Sequence, residues 1–195
     1  MKISYLKADN FMLFDSLDIS WSSNINIISG ENSTGKSTLL KLMYSILKPI
    51  SSTRVSNMNQ DRIEASIVEK MQGNFRPDEG KIGRLVSRKQ GSNRTDIEIG
   101  LEKNGKRQEK HAEVEVSINH FSHFDPVYLP PKEMISSTEH FQSLYENYHI
   151  DFEEMYYDLT KLLDKPLKKG ANTGEQNKVL SSFEKIIDGK IIQKE

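Results

Sequence analysis

The sequence predicts an α/β fold organised around a glycine-rich, phosphate-binding loop. Three observations carry the prediction. Residues 30–38 read Gly30-Glu31-Asn32-Ser33-Thr34-Gly35-Lys36-Ser37-Thr38, a G-x-x-x-x-G-K-[ST] pattern. The apolar stretch Asn24-Ile25-Asn26-Ile27-Ile28 runs into this loop as a buried strand, and a helical apolar face leaves it. Further on, segments of period two give way to segments of helical period.

Each element has its own signal. Residues 2–7 are strand-like, and Ser16 to Trp21 alternate so that Leu17, Ile19 and Trp21 share a face. After the loop, Leu39, Leu42, Met43, Ile46 and Leu47 fall on one helical face, with Pro49 marking the stop. Residues 51–58 are Ser/Thr/Asn-rich and read as a loop. Ile63, Ile67 and Met71 define a helix over about 59–72, ended by Gly73 and Pro77. Residues 83–119 turn β-rich. Ile97, Ile99 and Leu101 alternate on one strand and Val114, Val116 and Ile118 on the return strand, with Asn104-Gly105 as a type I′ turn signal for an antiparallel hairpin. A strand at Val127-Tyr128-Leu129 stops at Pro130-Pro131. From about 137 the period is helical: Phe152, Met155, Tyr156, Leu159, Leu162 and Leu163 make one apolar face behind an Asp151 N-cap. Pro166 to Thr173 reads as a polar linker. Val179, Leu180, Phe183, Ile186 and Ile187 mark a last helix ended by Gly189, and Ile191-Ile192 begin a strand.

Bulk properties exclude several classes. The 195 residues carry 27 Lys and Arg against 28 Asp and Glu, so global charge points to no partner. With no cysteine there are no disulfides, thiolate metal sites or cysteine nucleophiles. No apolar run approaches the ~20 residues of a membrane span, and the N-terminus lacks the apolar core of a signal peptide. A cytoplasmic location, with no membrane partner, is the expectation. Local charge is uneven. Residues 81–111 hold nine basic against four acidic side chains, and residues 139–164 hold seven acidic against one basic. The first stretch is a candidate DNA-phosphate surface, through Lys103, Lys106 and Arg107, or the solvated face of a hairpin. The five histidines, His111, His120, His123, His140 and His149, complete no metal-ligand pattern and read as structural or surface residues.

The loop pattern has a physical reason at each fixed position. Gly30 and Gly35 allow a tight turn with successive N–H groups pointing inward. Together with the N-terminus of the next helix they make an anion socket. Lys36 is spaced to reach β- and γ-phosphates, and the Ser37 hydroxyl to ligate Mg2+.

Asn10-Phe11, the two early strands, Asn26-Ile27-Ile28-Ser29-Gly30-Glu31-Asn32 and Gly35-Lys36-Ser37-Thr38 resemble the N-terminus of ABC-type P-loop ATPases of the SMC, RecF and OLD-like group, within the AAA-type ATP-binding proteins. Val127 to Glu133 is similar to the stretch that leads this group into its Q-loop, for which Glu133 and Gln142 are the candidates. Ser33-Thr34 replace the group's Gly-Ser, and Met12 stands where an Arg is frequent. The resemblance implies a P-loop NTPase fold: an ABC-type N-terminal lobe with an antiparallel β-hairpin or sheet insertion over 1–135, and a C-terminal helical subdomain over 136–195. It implies that Gly30, Asn32, Ser33, Thr34, Gly35 and Lys36 cradle the phosphates of ATP, that Lys36 neutralises γ-phosphate charge, that Ser37 holds Mg2+, and that Thr38 lies at the α-phosphate. It also implies a homodimer or larger assembly closed through the nucleotide, in DNA repair, chromosome maintenance or phage defence.

The group's Leu-Ser-x-Gly signature and its Walker B strand with Asp and catalytic Glu are missing from the sequence. Lys185-Ile186-Ile187-Asp188 is the nearest approach. The expectation is therefore the N-terminal portion of a longer ATPase or a naturally truncated relative, which binds nucleotide and turns it over poorly. Two other readings stand beside it. One is a small P-loop kinase, although such kinases open directly on the P-loop strand. The other is a non-catalytic ATP-sensing interaction module.

Overall fold

Strand β1 (Lys2–Phe11) organises the sheet, because it pairs on both edges. Its partner β2 (Phe14–Ser20) returns antiparallel after a tight turn, with Leu6 opposite Ile19 and Ala8 opposite Leu17. On the other edge lies β4 (Ala112–Asn119), also antiparallel, followed by β3 (Ile97–Gly100), to give the order β2-β1-β4-β3. In this computed structural model the described residues are 2–22, 25–52, 60–80, 82–85, 97–100, 112–119, 125–131, 140–148, 150–165 and 170–190. They form two units, Met1–Leu163 and Asp164–Glu195.

Alternation places Leu6 and Ala8 of β1 on one face, where they are buried with Phe11. Helix α1 (Lys36–Ser52) lays Leu39, Leu42, Ile46 and Ile50 against them, at the 3.6-residue spacing of a single helical stripe. Helix α2 (Gln60–Phe75) adds Ile67 and Met71, and Leu85 closes the cluster. Leu17, Ile19 and Trp21 of the second strand and its extension pack on the same core, as their alternation predicts.

The opposite side of α1 meets a second cluster. Tyr44 packs with Tyr128 and with Phe141, Met155 and Tyr156 of helices α3 (Phe141–Tyr148) and α4 (Glu154–Leu163). Charged and polar groups fasten this side. Lys41 pairs with Glu153, Lys48 with Asp125 at 2.7 Å, and the Tyr44 hydroxyl donates to Asp158 Oδ2 at 2.7 Å. Lys70 of α2 reaches Glu154 at 2.6 Å and Asp158 at 2.7 Å. Burial pushes the Glu154 carboxyl above its ordinary pKa, against the pull of Lys70.

Several expected features are corrected. Residues 25–28 belong to no sheet among the described residues, and Ile25 and Ile27 are 83% and 87% exposed; only Ile28 packs inward. Among the described residues no strand lies beside this segment, so its alternate side chains remain in solvent. Val127 to Leu129 likewise belong to no strand pairing among the described residues. β3 and β4 run parallel, with Ile97 opposite Ala112 and Gly100 opposite Glu115. A two-residue hairpin turn joins only antiparallel strands, so parallel pairing excludes it here. The Asn104-Gly105 turn signal itself lies outside the described residues.

Helix boundaries also shift. α1 continues through Pro49 to Ser52, because a proline in the last turn forfeits only the bond to the Ser45 carbonyl. α2 continues through Gly73 to Phe75. The apolar run after 137 is two helices, and Asp151 lies upstream of α4, paired with Arg76 at 2.7 Å rather than capping. In the second unit α5 (Gly174–Ile187) starts on a Thr173 capping box and ends at Asp188 in the left-handed region, one residue before the expected Gly189. Its Val179, Phe183, Ile186 and Ile187 are exposed. Ile191 and Ile192 fall outside the described residues.

Gly73 has a specific reason to be glycine. A Cβ there would lie 1.9 Å from Glu154 Oε2 and 2.9 Å from Glu154 Cβ. The Gly73→Ala chain is therefore expected to lose about 1–3 kcal/mol of stability through this overpacking, as measured by urea unfolding. An unchanged midpoint would show that α4 sits further from α2 than the structure places it.

Candidate functional site

The loop and the first turn of α1 bring the sequence-predicted residues together at one end of the first core. Gly30 to Gly35 fold into a turn with Glu31, Asn32, Ser33 and Thr34 exposed and Gly35 buried. The Lys36 ammonium curls back over the turn, donating to the Gly30 carbonyl at 2.8 Å and to the Glu31 carbonyl. Thr34 Oγ1 donates to the same Glu31 oxygen at 2.9 Å. The helix begins at Lys36, and the Leu39 N–H closes on the Gly35 carbonyl at 2.9 Å. The first N–H groups of a helix have no intrahelical acceptor. Here the first turn holds no acidic side chain that would neutralise them. The result is a set of N–H groups without intrahelical acceptors at the positive end of a 17-residue helix, with a lysine alongside and the exposed Ser37 hydroxyl one residue on. This donor set suits a polyphosphate, and a hydroxyl at that place suits a hard cation held by the same phosphates.

Two backbone details show how the turn is made. Gly35 has φ +94, and a Cβ there would meet the Phe14 ring at 2.7 Å, so conformation and space both require glycine. Ser33 sits at φ +64, in the left-handed region, where the resembled group carries glycine. Phe14 went unnoticed in the sequence. Its contact spans 21 positions, and its only local signal is that it opens the strand after Asn10-Phe11.

Other candidates are not brought to this loop. Glu133 lies outside the described residues, and Gln142 stands on α3, half-buried. Met12 occupies the β1–β2 turn with φ +49, its N–H bound to the Leu85 carbonyl at 2.7 Å. Lys103, Lys106 and Arg107 lie outside the described residues, as do all the histidines but His140. No group of three or more His, Asp or Glu among the described residues could hold a metal ion. No helix among them is long and apolar enough to cross a membrane. Lys185 to Ile187 end helix α5, with Ile186 78% exposed, so this segment is not a buried strand. A cavity of about 580 Å3 is lined by Gln72, Arg76, Asp78, Tyr145 and Asp151, none of them in the loop.

The left-handed Ser33 generates a prediction. A non-glycine residue there costs about 1–2 kcal/mol, and glycine gives back about 0.5–1 kcal/mol through the freer unfolded chain. Ser33→Gly is expected to raise the melting temperature slightly. A clear fall would show that the Ser33 side chain contributes more than its backbone costs.

A 44-residue stretch, 23% of the chain, is 48% identical to the DNA replication and repair protein RecF of Clostridium kluyveri, and covers 12% of that protein's length. No solved structure matches. The AAA ATPase domain family matches residues 1–194, and the chain belongs to that family of P-loop ATPases.

Proposed function

We propose that residues 30–38 hold the phosphates of Mg·ATP in the manner of an ABC-type ATPase half-site. One observation carries the reading. Lys36 is anchored over the turn by the Gly30 and Glu31 carbonyls, beside the first N–H groups of a helix end with no acidic side chain. Gly30, Asn32, Ser33, Thr34 and Gly35 supply the cradle, and Lys36 neutralises the terminal phosphate. Ser37 takes the cation, with Thr38 at the inner phosphate. When bound, Mg2+ supplies charge neutralisation between phosphates; the chain's own residues bind and orient.

The ABC-type lobe, with 1–135 as the nucleotide-holding part and 136–195 as the helical part, fits the two early strands and the Gly30-Glu31-Asn32 opening. A role close to DNA fits the relative's printed description and the basic stretch at 81–111. Assembly through the nucleotide remains part of the same proposal. For turnover, an acidic group must orient the attacking water. Lys185 to Asp188 do not offer a buried carboxylate, since the segment ends an exposed helix. The isolated 195-residue chain therefore binds more than it hydrolyses.

Titration calorimetry with Mg·ATP tests this. Lys36→Ala is expected to weaken binding by about tenfold or more, the value of one charge-assisted phosphate contact. Equal affinity in wild type and variant would remove the loop from the binding site. Phosphate release by the purified chain is expected near background, and turnover at ~1 s⁻¹ or faster would contradict the half-site reading.

A further inference from the structure

The geometry points to Phe14 as a positioning residue of the phosphate loop, resting on the reading that this loop binds Mg·ATP. Phe14 opens β2 and pairs across the turn with the buried Phe11. Its ring is packed on the main core, and the tip of the ring reaches Gly35: an added Cβ would meet Cζ at 2.7 Å and Cε1 at 2.8 Å. Gly35 is buried although the four residues before it are exposed. The loop therefore rests on this aromatic floor at the one glycine that immediately precedes Lys36.

The floor is itself held in place. Asn10 and Met12, on either side of Phe11, both have positive φ, +56 and +49. Such conformations persist only where the surroundings impose them. Here the Met12 N–H is fixed by the Leu85 carbonyl at 2.7 Å, and Leu85 is a buried member of the core. Phe11 is locked edge-on to Phe75 of α2, with centroids 5.5 Å apart. The turn is thus strained and pinned at Phe11 and Met12, and Phe14 leaves it to meet the loop at Gly35.

The consequence follows from hydrogen-bond directionality. The N–H groups at 35–37 bind an anion only if they converge, and misaligned bonds weaken steeply. Removing the ring opens space beneath Gly35, whose φ of +94 gives it wide freedom to relax. The donors then diverge. The loss falls on phosphate contacts and not on the nucleobase.

The test compares wild type, Phe14→Leu and Phe14→Ala, titrated with Mg·ATP and separately with Mg·pyrophosphate, each protein also melted without ligand. Phe14→Ala is expected to weaken both ligands by the same factor, about tenfold, and Phe14→Leu by about threefold, from donors misdirected rather than removed. A purely structural role would lower the melting temperature while leaving the affinity of the folded protein unchanged, and that result overturns the proposal. Loss of ATP affinity with pyrophosphate binding intact also overturns it, by making Phe14 a base contact. If Phe14→Ala does not fold, Phe14→Leu decides alone, and affinities within twofold of wild type count against the proposal. A wild type that binds neither ligand refutes the phosphate-loop reading itself, and this inference with it.

Discussion

Helix α1 has two working faces, and the rest of the first unit depends on keeping them opposed. Leu39, Leu42, Ile46 and Ile50 form a stripe that buries against β1 and α2. Lys41, Tyr44 and Lys48 lie on the far side and gather the segment at 125–131 and helix α4. The helix could not serve both clusters if either stripe were mixed, because one residue per 100° of turn leaves room for one chemistry on each side. At its N-terminus residues 31–34 stay exposed while the body of the helix is buried.

The far face is fastened differently from the near one. Lys70 is nearly buried and meets two carboxylates, Glu154 and Asp158, and Asp158 also accepts the Tyr44 hydroxyl. Burial raises both Glu154 and Tyr44, and Asp158 adds to the rise at Tyr44. Pairs of this kind contribute little net stability, since desolvation offsets much of the attraction. Their value is geometric. Only one arrangement of α1, α2 and α4 satisfies Lys70, Tyr44 and the Glu154 side chain lying over Gly73. An apolar seam would tolerate sliding; this one fixes register. The buried amide of Asn74, donating to Ser45 Oγ at 2.8 Å, belongs to the same joint.

What was legible in the sequence is what is local. The loop residues, the α1 stripe and the Leu17-Ile19-Trp21 alternation each fall within a dozen positions, and each is found where periodicity or spacing puts it. The larger failures are non-local. Val114 to Ile118 do form a strand, but the direction in which it meets Ile97 to Gly100 depends on the path of the intervening chain. Tyr44 joins the second cluster through residues more than 80 positions away, with no periodic trace at its own position. Gly73 looked like a helix end because glycine usually is one; its actual reason is a glutamate on another helix. Phe14 belongs to this class. A residue that matters by touching a glycine across a turn leaves no pattern of its own.

The segment before the loop shows how a correct pattern acquires a different meaning. Ile25 and Ile27 point outward while Ile28 joins the core, and Val127 and Leu129 point outward while Tyr128 joins the second cluster. Lys48 holds Asp125 and Tyr44 packs on Tyr128, so the 125–131 stretch advances toward the N-terminal end of α1. A chain buried on both faces reads as a nearly unbroken apolar run, and Ile25 to Ile28 has that composition apart from Asn26. Among the described residues only one face is covered. The loop is positioned, among the described residues, by Phe14, whose ring meets Gly35, and by helix α1, which begins at Lys36 directly after it.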